Sequence, residues 1–146
     1  MDVLHNLMNG FFQVLTPYNL WMAVVGCFFG TLVGILPGLG PSATIAMLLP
    51  FTFGMQATPA MIMLCALYYG AKYGGSTTAI LINVPGENAS VVTTFDGYQM
   101  ALQGRAGAAL GISAIGSFIG GILGTFGVIF IAVPLAEFSL RCGPAE

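Results

Sequence analysis

Positions 3–71 and 106–136 contain no aspartate, glutamate, lysine or arginine, and nothing else in the chain restricts its fold so tightly. A charge-free stretch of that length cannot keep a soluble surface hydrated. In lipid it is favoured, because a charged side chain at the bilayer centre costs about 3 kcal/mol or more. Charged residues make up 5% of the 146 positions, against roughly a quarter in soluble proteins, so an ordinary soluble domain is excluded. A net charge of −2 leaves no basic field, and no nucleic-acid partner is expected. At about 20 residues per span the chain holds roughly three or four membrane passes, which is small for a transporter acting alone. Its closing residues, Cys142 to Glu146, read as a turn with nothing to finish it, which points to a partial protein or one that oligomerises.

The segments follow from periodicity and from breakers. Leu4, Leu7, Met8, Phe11 and Phe12 recur at helical spacing among polar neighbours, so residues 1–18 are expected to form an interfacial helix. No basic n-region precedes it, and the first apolar segment is read as a retained anchor. Residues 19–36 give a first span of about 27 Å, flanked by the interfacial aromatics Tyr18 and Trp21. It stops at Pro37-Gly38-Leu39-Gly40-Pro41, which no continuous helix tolerates well. Ser42 is placed to cap the next segment, a run too short to cross that carries Pro50, as expected of a half-helix or a broken span. A third helix is expected over Pro59 to Tyr73, carrying Lys72 at its far end, where a second break begins at Tyr73 to Thr78 (YGGSTT). The polar region, residues 74–104, is expected to hold a second glycine-interrupted helix and a hairpin at membrane depth, followed by a short amphipathic helix over 96–102. Residues 106–133 are long enough to cross with tilt.

The same residues bound the chemistry. Unwound backbone at membrane depth is expensive unless it lines a cavity, so the two breaks mark a candidate binding site; the competing reading is proline kinks and interfacial turns. The candidates are Pro37, Gly38, Gly40 and Ser42 at the first break, Gly74, Gly75, Ser76, Thr77 and Thr78 at the second, and Asn83 beyond it. Half-helix N-termini and uncharged hydroxyls there suit a carboxylate, and unwound carbonyls suit a sodium ion. Glu87 reads first as a solvated turn residue and second as a site. His5 reads as exposed or interfacial. Cys27, Cys65 and Cys142 read as buried and inert, lacking the spacing of a metal or redox site. Gly26, Gly30, Gly34 and Gly38, and again Gly116, Gly120 and Gly124, fall four apart and read as packing seams. No Ser, His and Asp grouping suggests an enzyme, and no cofactor is expected.

Four stretches in sequence, Gly34-Ile-Leu-Pro-Gly-Leu-Gly-Pro41, Tyr69 to Ile80, Asn83-Val-Pro-Gly-Glu87, and Asp96-Gly-Tyr-Gln-Met-Ala101 with Gly104-Arg-Ala-Gly107, closely resemble the TctA family, the large membrane subunit of the tripartite tricarboxylate transporters. The likeness runs from about residue 15 to the end. It implies an all-α integral membrane protein with broken or re-entrant helices, and one half of an inverted-repeat transporter, with residues 19–146 as a partial domain carrying the first repeat only. It implies import of citrate-like carboxylates across the bacterial inner membrane on a sodium or proton gradient. The partners it implies are a small membrane subunit (TctB-like) and a periplasmic solute-binding protein (TctC-like). Gln99 departs from the pattern, standing where the family often has proline. The alternative from another class is a membrane scaffold that only packs through its glycine seams.

Overall fold

The computed structural model describes residues 2–141, with side-chain surroundings for residue 5 and residues 7–131. All regular structure among these residues is helical, with no strand: α1 Asp2–Val14, α2 Pro17–Gly34, α3 Gly40–Leu48, a 3₁₀ turn Leu49–Thr52, α4 Ala57–Ile82, a second 3₁₀ turn Asn88–Ser90, α5 Val91–Leu102 and α6 Ala106–Arg141. Contacts divide the chain into two units, Met1–Leu110 and Gly111–Glu146.

Burial in the first unit is inverted relative to a soluble protein. The buried set includes Gly26, Gly30, Gly34, Gly70, Ala71, Gly74, Thr78 and Ala79, whereas Phe11, Trp21, Phe28, Phe29, Met61 and Tyr69 are exposed. Small residues dominate the interior, alongside Met63, Leu67 and Ile80, while most large apolar residues face outward; this is the arrangement expected when the solvent is lipid, since association there depends on close packing rather than on the hydrophobic effect. Pro17–Gly34 and Ala106–Ile131 are each long and apolar enough to cross a membrane. Helix α4, at 26 residues, is about 39 Å long and also long enough to cross, but it is diluted with Gly, Ser and Thr. Cys27 and Cys65, expected to be buried, are exposed thiols on this outer surface, where a small apolar side chain can face lipid. Cys142 lies outside the described residues. His5 is exposed, as expected.

Helices α2 and α4 pack glycine to backbone. Gly26 lies on Met63, Gly30 on Leu67 and Gly34 on Ala71, while Gly70 returns the contact to Cys27 and Gly74 to Thr31. A methyl at Gly30 would stand 2.8 Å from both the Cα and the carbonyl carbon of Leu67, and closer to its oxygen. Every partner advances with its glycine, so the two helices run parallel. At that fixed offset the start of α4 lies level with Leu20, about 21 Å back along α2 from Gly34. Residues 35–56 must therefore carry the chain back over that distance. Helix α3 supplies about 13 Å and the 3₁₀ turn about 8 Å. Helix α3, at 9 residues, is too short to cross, as expected, and with the 3₁₀ turn it forms an interrupted return.

Several boundaries differ from expectation for identifiable reasons. Helix α3 begins at Gly40, and Leu39 is its cap residue with no side-chain cap bond, so Ser42 is an exposed residue of the first turn. Pro41 accounts for this: it has no N–H to satisfy and its fixed φ suits a first turn. Helix α4 runs unbroken through Gly74-Gly75 to Ile82, so the expected second break is absent and Lys72 lies inside the helix. Each glycine in a helix costs about 1 kcal/mol, whereas freeing one backbone group in hydrocarbon costs several, so the helix persists. Helix α5 starts at Val91 rather than at Asp96, with Gly97 seated on Ile80, 2.8 Å from Ile80 Cγ1 to where a β-carbon would stand.

The second unit consists of most of α6, an apolar helix whose Ile112, Phe118, Leu123 and Phe130 are exposed. A methyl at Gly116, Gly120 or Gly124 would meet no atom within 4 Å among the described residues.

Candidate functional site

One junction gathers the polar and glycine-rich parts of the first unit. Helix α2 ends at Gly34, and the chain then unwinds through Gly38 (φ +89°) and Gly40 (φ +44°), left-handed conformations that favour glycine. Two turn bonds cover part of the freed backbone: Leu36 N–H donates to Val33 O at 2.9 Å and Leu39 N–H to Leu36 O at 3.4 Å. Helix α4 passes alongside and ends on Asn83, a left-handed cap at φ +59°. The chain then doubles back, so that Gly86 N–H donates to Gly75 O at 3.4 Å. A β-carbon at Gly86 would lie 2.5 Å from Gly75 Cα and 2.8 Å from Gly34 O. Only glycine allows three backbone segments, from α2, α4 and the loop after it, to meet there.

The sequence candidates distribute unevenly around this junction. Gly74 packs against Thr31 and Gly34, and Gly75 against Gly86 and Ser90, so these two lie at its centre. Pro37 and Gly38 lie on the exposed turn that leaves it, and Ser42 is exposed beyond. Asn83 is exposed at the end of α4. The hydroxyls of Ser76, Thr77 and Thr78 are not free donors: they give hydrogen bonds to Lys72 O (3.3 Å), Tyr73 O (3.0 Å) and Gly75 O (3.0 Å) of their own helix. Thr44 likewise donates to Gly40 O at 2.8 Å. Hydroxyls in an apolar setting turn back onto helix carbonyls because no water competes for them.

Two features escaped the sequence reading. Glu87 is not a solvated turn residue: its side chain is 11% exposed and accepts an ion pair from Lys72 Nζ at 2.7 Å. The face of Tyr68 lies 5.4 Å from the same ammonium. Lys72 and Glu87 are the only Asp, Glu, Lys or Arg residues between positions 3 and 95, a signal visible in the sequence once the loop is known to fold back. Ser90, 2% exposed, is the other. Its Oγ has no hydrogen-bond partner and lies 3.2 Å from where a β-carbon on Gly75 would stand. Among the described residues no group of three His, Cys, Asp or Glu could hold a metal ion.

Comparison with known proteins bears on this arrangement. Residues 20–146 match the Tripartite tricarboxylate transporter TctA family. Over 146 residues the chain is 56% identical to a protein of Agrobacterium vitis described as "Uncharacterized 52.8 kDa protein in TAR-I ttuC' 3'region". All of this chain is covered by that match, and it spans 29% of the relative's length. No solved structure matches.

Proposed function

The chain belongs to the tripartite tricarboxylate transporter TctA family, and from that premise we propose that it forms part of an ion-gradient-driven importer of tricarboxylates or related carboxylates across the bacterial inner membrane. The observation that carries this reading is the junction of the α2 break with Gly75 and Gly86, where unwound backbone meets helix α4. Irregular backbone at membrane depth is tolerated where it lines a cavity, and transporter sites are built at such interruptions. The substrate path in this proposal runs past Pro37, Gly38, Gly40 and Ser42 on one side and Gly74 to Thr78 and Asn83 on the other. A small membrane subunit and a periplasmic solute-binding protein complete the system.

The test is carboxylate uptake by the complete transporter carrying Gly75→Leu and Ser76→Ala. Loss of uptake with normal membrane insertion is expected. Normal uptake with both changes would sink the site and favour the scaffold reading, which the wholly packed glycine seam between α2 and α4 also suits. For the coupling ion, sodium draws support only from the unwound residues 35–39, since the α4 hydroxyls are already bonded. Uptake unchanged when choline replaces sodium at fixed pH counts against sodium coupling.

A further inference from the structure

We propose that Glu87 is an internal stand-in for the substrate carboxylate: in the empty transporter it occupies the Lys72 ammonium, and an arriving di- or tricarboxylate takes its place. This rests on the carboxylate reading above. Lys72 and Glu87 come from different elements, helix α4 and the loop after it, and meet at 2.7 Å in a region otherwise free of such charges. A tie of loop to helix needs no ions. Apolar residues of similar volume hold such contacts as well or better, because bringing two charges out of water costs several kcal/mol each. A charged pair in a region otherwise free of such charges therefore calls for a use of the charge itself.

The geometry suits exchange. The Lys72 side chain is 36% exposed while Glu87 is 11% exposed, so the ammonium keeps an open side that the carboxylate lacks. An ammonium has three donors, and the ion pair here is made to Oε2 of Glu87. Tyr68 covers another side with a neutral ring face, which stabilises the cation without competing for an anion. The pair also adjoins the junction: Glu87 directly follows Gly86, which is bonded to Gly75, and Lys72 precedes Gly74 by two residues on the same helix. With the stand-in in place the empty site is electrically neutral. With substrate bound, Lys72 is neutralised by the substrate, and Glu87 turns outward with a loop whose Val84 and Asn88 are already exposed.

The experiment measures concentration-dependent uptake in the complete transporter with its partner subunits. The probe is whichever of radiolabelled citrate, succinate or malate the unmodified protein imports. Lys72→Gln is expected to raise KM about tenfold or more, because the cation that replaces water around the substrate carboxylate is gone. Glu87→Gln is expected to lower KM by about threefold or more, since the internal competitor is removed while Lys72 stays. The double exchange Lys72→Glu with Glu87→Lys rebuilds the tie with its polarity reversed, and its KM is expected to stay raised about tenfold or more, as in Lys72→Gln. A wild-type KM in the exchanged protein would show that the pair is only a brace and would overturn the proposal, as would an unchanged KM in Lys72→Gln. If Lys72→Gln fails to reach the membrane, Glu87→Gln decides alone, and an unchanged or raised KM counts against the idea. Failure of the broader reading looks different: the unmodified protein then imports none of the carboxylates. If it imports one and Gly75→Leu abolishes that uptake while the Lys72 variants leave KM untouched, this inference alone falls.

Discussion

Replacing Gly30 with alanine probes the α2–α4 seam, and the structure gives its magnitude. The new methyl would stand 2.8 Å from Leu67 Cα and from its carbonyl carbon. Carbon atoms pack at about 3.5–4.0 Å, so α2 has to retreat by roughly 1 Å. Backbone cannot yield as a flexible side chain would, and the retreat also opens the contacts of Gly26 on Met63 and Gly34 on Ala71, which share the register. If each of the three glycine Cα–H groups gives up a carbonyl contact of about 0.5–1 kcal/mol, the loss is about 1.5–3 kcal/mol. Alanine returns about 1 kcal/mol through its better helix propensity. The expected net destabilisation is therefore about 0.5–2 kcal/mol. Equilibrium unfolding in mixed detergent micelles, followed by a helix-packing signal, measures it, with Gly10→Ala as the reference. Gly10 has nothing within 4 Å of the position a β-carbon would take, so that change should be neutral or stabilising. If Gly30→Ala proves as stable as Gly10→Ala, the close-packed seam is not what holds these helices together.

Three further changes test other parts of the first unit. Gly86→Ala puts a β-carbon 2.5 Å from Gly75 Cα and 2.8 Å from Gly34 O, and should displace the loop at about 2 kcal/mol or more. Hydrogen exchange of amides 83–90 rises if so and stays at the wild-type level if the contact is slack. Ser90→Ala removes a buried hydroxyl that has no partner and should raise stability by up to about 1 kcal/mol in the same unfolding assay. A loss of that size would instead mean that a water or ligand uses Oγ. Asn19 is 6% exposed, and its Nδ2 donates to Gln13 O at 2.7 Å across the corner between α1 and α2. Asn19→Leu should weaken that corner by about 1–2 kcal/mol, visible as greater mobility of a spin label on α1.

Much of this was readable from residues alone, and the misses share a cause. The α2 break was legible because Pro37, Gly38, Gly40 and Pro41 act locally: proline removes a donor, and the two glycines take positive φ. The break expected at Gly74-Gly75 rested on the same local rule and failed, because those glycines admit the backbones of α2 and of the loop at Gly86. Glycine as punctuation and glycine as packing surface look identical in one dimension. Glu87 was misplaced for a related reason: Pro85-Gly86 reads as an exposed turn, and only the return of that turn onto Gly75 brings the carboxylate to Lys72.

The sequence by itself determined the solvent and the material of the fold: positions 3–71 and 106–136 carry no Asp, Glu, Lys or Arg, so these segments belong in lipid, and there a backbone of this composition satisfies its own hydrogen bonds as helices. The tertiary structure decided that α2 and α4 run parallel, that residues 35–56 therefore form a broken return, and that one acid finds one base beside the Gly75–Gly86 junction. The division follows from range. Solvent preference and proline or glycine geometry act within a few residues, whereas the direction of a neighbouring helix and the partner of a charge are fixed by close approach between segments that the order of residues does not encode locally.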